Sequence, residues 1–117
     1  MDAKIRERML LMVTEYSGYT GDIIHLHAGI ATSRATLERM KGHVVAALAK
    51  GWAETKSNEQ TRNAQVAEEL LANGEYQDVL EAAHVLEEGL RTAQLRQDAL
   101  RFERDILIAI ANNEQVE

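Results

Sequence analysis

Residues 76–107, YQDVLEAAHVLEEGLRTAQLRQDALRFERDIL, decide the fold. Apolar residues recur along this stretch at alternating steps of three and four, a spacing that places them on one face of a helix. The heptad series has ten positions, eight of them apolar: Tyr76, Val79, Ala83, Leu86, Leu90, Ala93, Gln97, Leu100, Arg104 and Leu107. Since no helix breaker occurs before Asn112-Asn113, we predict one helix over residues 75–111, about 55 Å long at about 1.5 Å per residue.

A second series with the same spacing lies in the first half of the chain. It runs through Ile23, Leu26, Ile30, Ser33, Leu37, Met40, Val44 and Ala47, and Gly51 follows shortly after it. We predict a helix over residues 22–50 that ends at this glycine. Gly18 and Gly21 precede it, and two glycines three residues apart favour a turn. This turn separates the long helix from a shorter amphipathic helix over residues 3–15.

A fourth, short helix is predicted over residues 58–72. Ser57 is followed three residues later by Gln60, which has the form of a capping box at a helix start. The chain contains no proline and only seven glycines, so little in it interrupts helices. The sequence therefore predicts an all-α fold. We expect a single domain of residues 1–117, an elongated antiparallel helical hairpin or bundle of about four helices with coiled-coil character.

Composition also limits the chemistry. The absence of cysteine excludes disulfides, thiolate zinc sites, iron–sulfur clusters and cysteine nucleophiles, and it favours a reducing, cytoplasmic location. No stretch approaches the roughly 18 uninterrupted apolar residues of a membrane span, so we expect no membrane partner. The glycine pattern of a phosphate-binding loop is also missing.

No catalytic, cofactor-binding or metal-binding residue is predicted. His25 and His27 are two residues apart, so on one helix they lie on nearly opposite faces and cannot bind the same metal ion. Glu81 and His84 form a single Glu-x-x-His pair, whereas a di-metal helical bundle needs two such motifs unless a dimer supplies the second. We interpret these residues as part of a solvated charged face, and the chain as non-enzymatic.

Charge divides the chain into two halves. Residues 1–56 contain eight Lys or Arg and six Asp or Glu, a net charge of +2, whereas residues 57–117 contain five and thirteen, a net charge of −8. An acidic surface favours a basic partner over a phosphate backbone. The predicted partner-binding residues are Glu68, Glu69, Glu87, Glu88 and Trp52. For Trp52 an alternative stays open: it covers the end of the helical core instead of anchoring a partner.

A second apolar stripe appears near the C-terminus, distinct from the heptad series. It contains Leu95, Phe102, Ile106 and Ile110. One partner helix covers one such stripe well, so the other must find another surface. We predict a homodimer or higher oligomer whose interface contains these four residues.

The start of the short helix carries a motif. Residues 57–64, Ser-Asn-Glu-Gln-Thr-Arg-Asn-Ala, fit the pattern S/T-N-E-x-x-R-x-A before a long coiled-coil helix. In this respect the second half of the chain resembles small helical proteins encoded by bacteriophages and prophages. The resemblance implies a viral origin and no particular chemistry.

The leading interpretation is a phage-derived interaction protein. It oligomerises and binds or inhibits a host macromolecular complex, for example a defence nuclease, through its acidic helical surface in the host cytoplasm. The alternative is an accessory factor of phage recombination or replication. That factor would bind nucleic acid through Arg34, Arg39 and Lys41 in the basic middle of helix 22–50.

Overall fold

A computed structural model of the chain describes residues 2–55 and 57–116, the last two of these by their backbone alone. Three α-helices follow one another: α1 (Ala3–Thr55), α2 (Glu59–Ala72) and α3 (Gly74–Val116). Within the described residues there is no strand, so the predicted all-α class is confirmed, while the count of four helices is wrong. None of the helices formed by these residues contains an apolar stretch of the kind that crosses a lipid bilayer.

The predicted helices 3–15 and 22–50 are one continuous helix, α1. Gly18 and Gly21, interpreted as a turn, are both helical, and a Cβ atom added to either would meet nothing within 4 Å. A glycine inside a helix costs only about 1 kcal/mol relative to alanine. Favourable packing in and next to this segment therefore suffices to keep it helical.

That packing comes from two tyrosines. Tyr16 and Tyr19 are half-buried, and they fill the seam between Met12 and Ile23 at the same steps of three and four. The apolar series of α1 therefore continues through the segment without a change of phase. Thr20, which could have capped a new helix, instead donates from its hydroxyl to the Tyr16 carbonyl at 3.1 Å, a bond made within the helix.

Both long helices extend beyond their predicted ends. α1 continues past Gly51 to Thr55, whose hydroxyl donates to the Gly51 carbonyl at 3.2 Å. Likewise, α3 runs through Asn112-Asn113 to Val116. Glycine and asparagine weaken a helix but do not end it by themselves. The helix ends predicted from these residues alone were therefore too early.

The short helix begins one residue later than its predicted cap requires. Asn58, not Ser57, is the N-cap of α2, and its side-chain oxygen accepts from the Thr61 N–H at 2.8 Å. The Ser57 hydroxyl accepts from the Arg62 guanidinium at 3.3 Å instead. The predicted capping box of Ser57 and Gln60 is therefore wrong.

A single residue, Asn73, joins α2 to α3. Its N–H donates to the Leu70 carbonyl at 3.2 Å, and its side-chain oxygen accepts from the Tyr76 N–H at 2.9 Å. The side-chain amide of Gln77 also donates to the Leu70 carbonyl at 2.9 Å. The last turn of α2 and the first turn of α3 thus satisfy their free backbone groups through the same junction.

The chain forms two compact units. Unit 1 consists of Met1–His27 and Glu87–Glu117, and unit 2 of Ala28–Leu86. In unit 1 the helices are antiparallel, since Arg8 contacts Glu103 and Thr20 contacts Gln97. Its buried apolar residues are Met12, Ala93, Leu100 and Ala111, and those of unit 2 are Ile30, Val66, Leu70 and Ala83.

The predicted seams are confirmed with two exceptions. On α1 every predicted position is buried or half-buried except Ala47, which is exposed while Leu48 is half-buried. On α3 the exception is Arg104, which is exposed while its neighbour Glu103 is half-buried. An α-helix has about 3.6 residues per turn, so an ideal heptad of 3.5 drifts around its surface over several turns, which accounts for the step to Leu48.

Replacing both Gly18 and Gly21 by alanine should stabilise the protein. Each substitution adds helix propensity in open space, so the free energy of unfolding should rise by about 1–2 kcal/mol in total. Urea denaturation followed by far-UV circular dichroism measures the change. Gly29→Ala is the control. Its Cβ would lie 3.2 Å from Leu86 Cδ1, so this substitution should raise the free energy of unfolding by less. A double variant less stable than wild type would show that the segment needs glycine as a turn does.

Candidate functional site

An open groove with a volume of about 660 Å³ runs along one side of the helix pair in unit 1. Its lining is apolar apart from hydroxyls and three arginines, and it contains no carboxylate. The lining residues are Arg6, Met9, Leu10, Met12, Val13, Tyr16, Ser17 and Thr20 from α1, with Leu100, Arg101 and Arg104 from α3. Leu10 and Val13 are 66% and 68% exposed. The groove therefore presents apolar side chains to solvent between two helices.

Arg101 and Tyr16 connect the two walls of this groove. The Arg101 guanidinium donates to the Tyr16 hydroxyl from Nε at 3.0 Å and from Nη2 at 2.5 Å, and lies 5.4 Å from the ring centre. The hydrogen bond to Tyr16 raises the pKa of Arg101 above its ordinary value. This contact holds one cation of the groove in place.

The other two arginines of the groove are freer. Arg104 Nη2 lies 3.1 Å from Asp105 Oδ1, a surface ion pair between neighbouring residues. The Arg6 side chain has no hydrogen-bond or ion-pair partner in residues 2–55 and 57–116. Positive charge is therefore available beside the apolar lining.

The opposite side of the same helix pair is closed by an ion-pair cluster. Arg8 donates from Nε and Nη2 to the two carboxylate oxygens of Glu103 at 2.8 and 2.7 Å, and from Nη1 to Glu15 at 2.9 Å. These bonds, the one to Glu103 foremost, raise the pKa of Arg8. The hydrogen bond from Arg8 in turn lowers the pKa of Glu103. A two-point arginine–carboxylate pair of this geometry also fixes the relative register of the helices.

The predicted oligomer stripe lies on the outer face of α3. Leu95, Phe102, Ile106 and Ile110 are 63%, 69%, 44% and 42% exposed. They share no residue with the groove, whose α3 wall is Leu100, Arg101 and Arg104. Unit 1 thus has two separate apolar surfaces. The use of the stripe as an oligomer interface remains a prediction.

In unit 2 three of the predicted partner-binding residues come together. Trp52, Glu68 and Glu69 line one hollow of about 470 Å³ between the end of α1 and α2. The Trp52 indole N–H donates to the Gln65 side chain at 2.6 Å, and the Arg62 guanidinium lies 5.4 Å from its ring centre. The tryptophan is half-buried, so it both covers the helix ends and forms a wall of the acidic hollow.

The other predicted acidic pair belongs to unit 1. Glu88 is exposed and lies 3.5 Å from Arg91 on the same helix. Glu87 is half-buried. The hollow therefore contains Glu68 and Glu69 but neither of these residues.

The basic segment of α1 is exposed but does not form one surface. Arg34 and Lys41 are seven residues apart, so they lie on the same face of the helix, whereas Arg39 points about 140° away from Arg34. Nucleic-acid binding through these three residues acting together is therefore geometrically unfavourable. It stays an untested prediction.

The histidines and the Glu-x-x-His pair lie on exposed helix surface. Glu81 and His84 are exposed, as are His25, His27 and His43. Across the part of the chain that the structure describes, no group of three His, Cys, Asp or Glu side chains is close enough to hold a metal ion.

Sequence reasoning missed the groove because it assigned a turn to its α1 wall. Leu10, Val13, Ser17 and Thr20 are spaced by three, four and three, a second row beside the seam. The signal was present in this spacing. It becomes visible only when residues 3–24 are treated as one helix.

Replacing Glu103 by glutamine should remove a pH-dependent part of the stability. A lowered pKa means that ionised Glu103 stabilises the fold. This contribution is complete above the ordinary value of 4.5 and is lost as the pH falls through the lowered value. Glu103→Gln should be less stable than wild type at pH 7, and the two should converge in strong acid. Urea midpoints measure this, with exposed Glu81→Gln as the control. A constant difference at every pH would contradict the role of the charge.

Comparison with protein-family models, with curated proteins and with solved structures gave no match.

Proposed function

We propose that the chain is a non-enzymatic helical interaction protein that associates with itself and binds another macromolecule. The observation that carries this proposal is the outer face of α3, where Leu95, Phe102, Ile106 and Ile110 are all exposed. Monomeric proteins rarely leave contiguous apolar patches of this kind uncovered, and such patches commonly mark protein interfaces.

The stripe supplies enough apolar surface for a dimer. Burying a Leu, Ile or Phe side chain contributes about 1.5–3 kcal/mol. Because part of each side chain is already covered, four of them on each of two chains contribute on the order of 10 kcal/mol before the cost of association. A symmetric interface in which α3 packs against α3 of a second copy would cover both stripes at once.

The acidic hollow of unit 2 is the proposed site for the second partner. Glu68 and Glu69 provide negative charge beside the ring of Trp52. Tryptophan is enriched at binding hot spots, and a nearby pair of carboxylates favours an arginine or lysine of a basic partner. The hollow thus suits a basic protein surface better than a nucleic acid.

The sequence supports a finer form of this proposal. The motif at residues 57–64 suggests a phage origin, and the −8 net charge of residues 57–117 suits a basic host target. Such a protein would act in the host cytoplasm, by binding or inhibiting a host complex such as a defence nuclease. An elongated antiparallel hairpin with coiled-coil packing remains the architecture that we propose for it.

Ile106→Asp should convert a dimer into monomers. The substitution places a charge at an apolar contact where it has no partner, so the dissociation constant should rise by at least about a hundredfold. Sedimentation velocity at tens of micromolar protein measures the change. Asn112→Asp adds the same charge at an exposed position outside the stripe and should leave the dimer intact. A wild-type protein that is monomeric at these concentrations would contradict self-association.

Reversing the charges of the hollow should weaken binding of a basic partner. Trp52 is the only tryptophan, so its fluorescence reports on the hollow directly. A basic arginine-rich helical peptide should change this fluorescence at low salt, and Glu68→Lys with Glu69→Lys should weaken its binding about tenfold or more.

Glu87→Lys with Glu88→Lys is the charge-matched control. It changes the net charge equally but lies outside the hollow. If both double variants weaken binding equally, the overall negative charge of the chain attracts the peptide, and the hollow is not its specific site. If neither variant nor added salt changes the binding, the electrostatic proposal is wrong.

A further inference from the structure

We propose that the groove of unit 1 binds an amphipathic α-helix of another protein, one whose apolar stripe is flanked by acidic residues. The groove shares no residue with the α3 stripe or with the acidic hollow. This inference is therefore independent of the self-association and of the basic partner proposed above.

The lining of the groove has the spacing of a helix-packing surface. Arg6, Leu10, Val13, Ser17 and Thr20 follow one another on α1 at steps of four, three, four and three. A row with this spacing accepts a second helix as a coiled-coil seam does. Because α1 already packs against α3 along the adjacent row, a helix in the groove would complete a three-helix bundle in unit 1.

The dimensions of the groove suit a helix of about four turns. Its α1 wall spans Arg6 to Thr20, which is about 21 Å at 1.5 Å per residue. Met12 and Leu100 lie buried at its base, while Leu10 and Val13 are each about two-thirds exposed. Ser17 and Thr20 are small, so the partner backbone can approach α1 closely at that end.

Charge decides which kind of helix fits. Three arginines line the groove, and no carboxylate does. Arg6 has no ion-pair partner among the described residues. Arg101 Nη1 lies 3.8 Å from Asp98 Oδ1, and Arg104 Nη2 lies 3.1 Å from Asp105 Oδ1. Such exposed pairs contribute little, so glutamates of a partner can replace them at small cost.

A second copy of the chain fits this surface less well. A two-fold contact places the same residues of both copies against each other. Groove against groove would therefore bring six arginines into one interface, with their aspartate partners at its edge. An acidic helix removes this repulsion and pairs with the same three cations.

The test uses two fluorescein-labelled 16-residue peptides designed as amphipathic helices. Both carry leucine at steps of three and four, and they differ only in having glutamate or lysine beside the leucines. Fluorescence anisotropy with the wild-type chain should show the glutamate peptide binding about tenfold or more tightly than the lysine peptide. Arg6→Glu with Arg104→Glu should reverse this preference.

Two neighbouring leucines provide a matched pair of variants. Leu10 lines the groove and is 66% exposed, whereas Leu11 lies outside it and is 59% exposed. Leu10→Ser should lower the affinity for the glutamate peptide about tenfold or more, and Leu11→Ser should leave this affinity unchanged. Since both positions are exposed, circular dichroism should show both variants folded.

Three results would overturn the proposal. The first is equal affinity of the wild-type chain for the glutamate and lysine peptides. The second is an equal loss of affinity for the glutamate peptide in Leu10→Ser and Leu11→Ser. The third is a wild-type oligomer that Leu10→Ser, but not Leu11→Ser, dissociates, because the groove then belongs to a second copy. The Ile106→Asp variant should still bind the glutamate peptide, which separates this proposal from the proposed self-association.

Discussion

The surfaces of unit 1 depend on the contact between Tyr16 and α3. The Arg101 guanidinium donates to the Tyr16 hydroxyl, and the Gln97 amide donates to the Thr20 hydroxyl at 2.6 Å. These contacts flank Gly18, one of the glycines that lower the intrinsic helix propensity of α1. With Tyr16 and Thr20 held against α3, the helix continues through Gly18, and Ser17 and Thr20 come into one row with Leu10 and Val13. Without that continuity the groove would have half of its α1 wall.

The two sides of the helix pair then differ for an electrostatic reason. On one side Arg8 bridges Glu103 and Glu15, so polar atoms fill the edge of the seam with satisfied hydrogen bonds. On the other side the flanking positions of α1 are Leu10 and Val13, which cannot pair with the arginines of α3. The first edge is complete within one chain. The second leaves apolar surface and positive charge next to each other, a combination that a single chain does not satisfy and an acidic amphipathic helix does.

The sequence predicted the seams well because their signal is local and repeated. Ile30, Ala83 and Leu100 were assigned to the core from spacing alone, and all three are buried. The turn at Gly18 and Gly21 was wrong because propensity is a weak constraint that tertiary packing overrides. The heptad spacing could not predict the half-burial of Glu103, because Glu103 contacts Arg8, a residue 95 positions away in the sequence. For the candidate surfaces, residue type indicated Trp52 and the acidic pairs. Only the fold could show that Glu68 and Glu69 share a hollow with Trp52 while Glu87 and Glu88 do not.

Leucine side chains lie close to a glycine of the facing helix in both units. In unit 1 the position of a Cβ on Gly89 is 3.4 Å from Leu26 Cδ2, and in unit 2 that of a Cβ on Gly29 is 3.2 Å from Leu86 Cδ1. A Cβ on Gly29 would require Leu86 to shift by a few tenths of an ångström, whereas a Cβ on Gly89 would make an ordinary van der Waals contact with Leu26. Sliding the helices of unit 1 by one residue would bring the Leu26 side chain against Leu90 or Glu88. It would also separate Arg8 from Glu103 and move Arg101 away from Tyr16. A large residue in the place of Gly89 would crowd Leu26, so this glycine favours the alignment in which the ion-pair edge is closed and the groove keeps its three arginines.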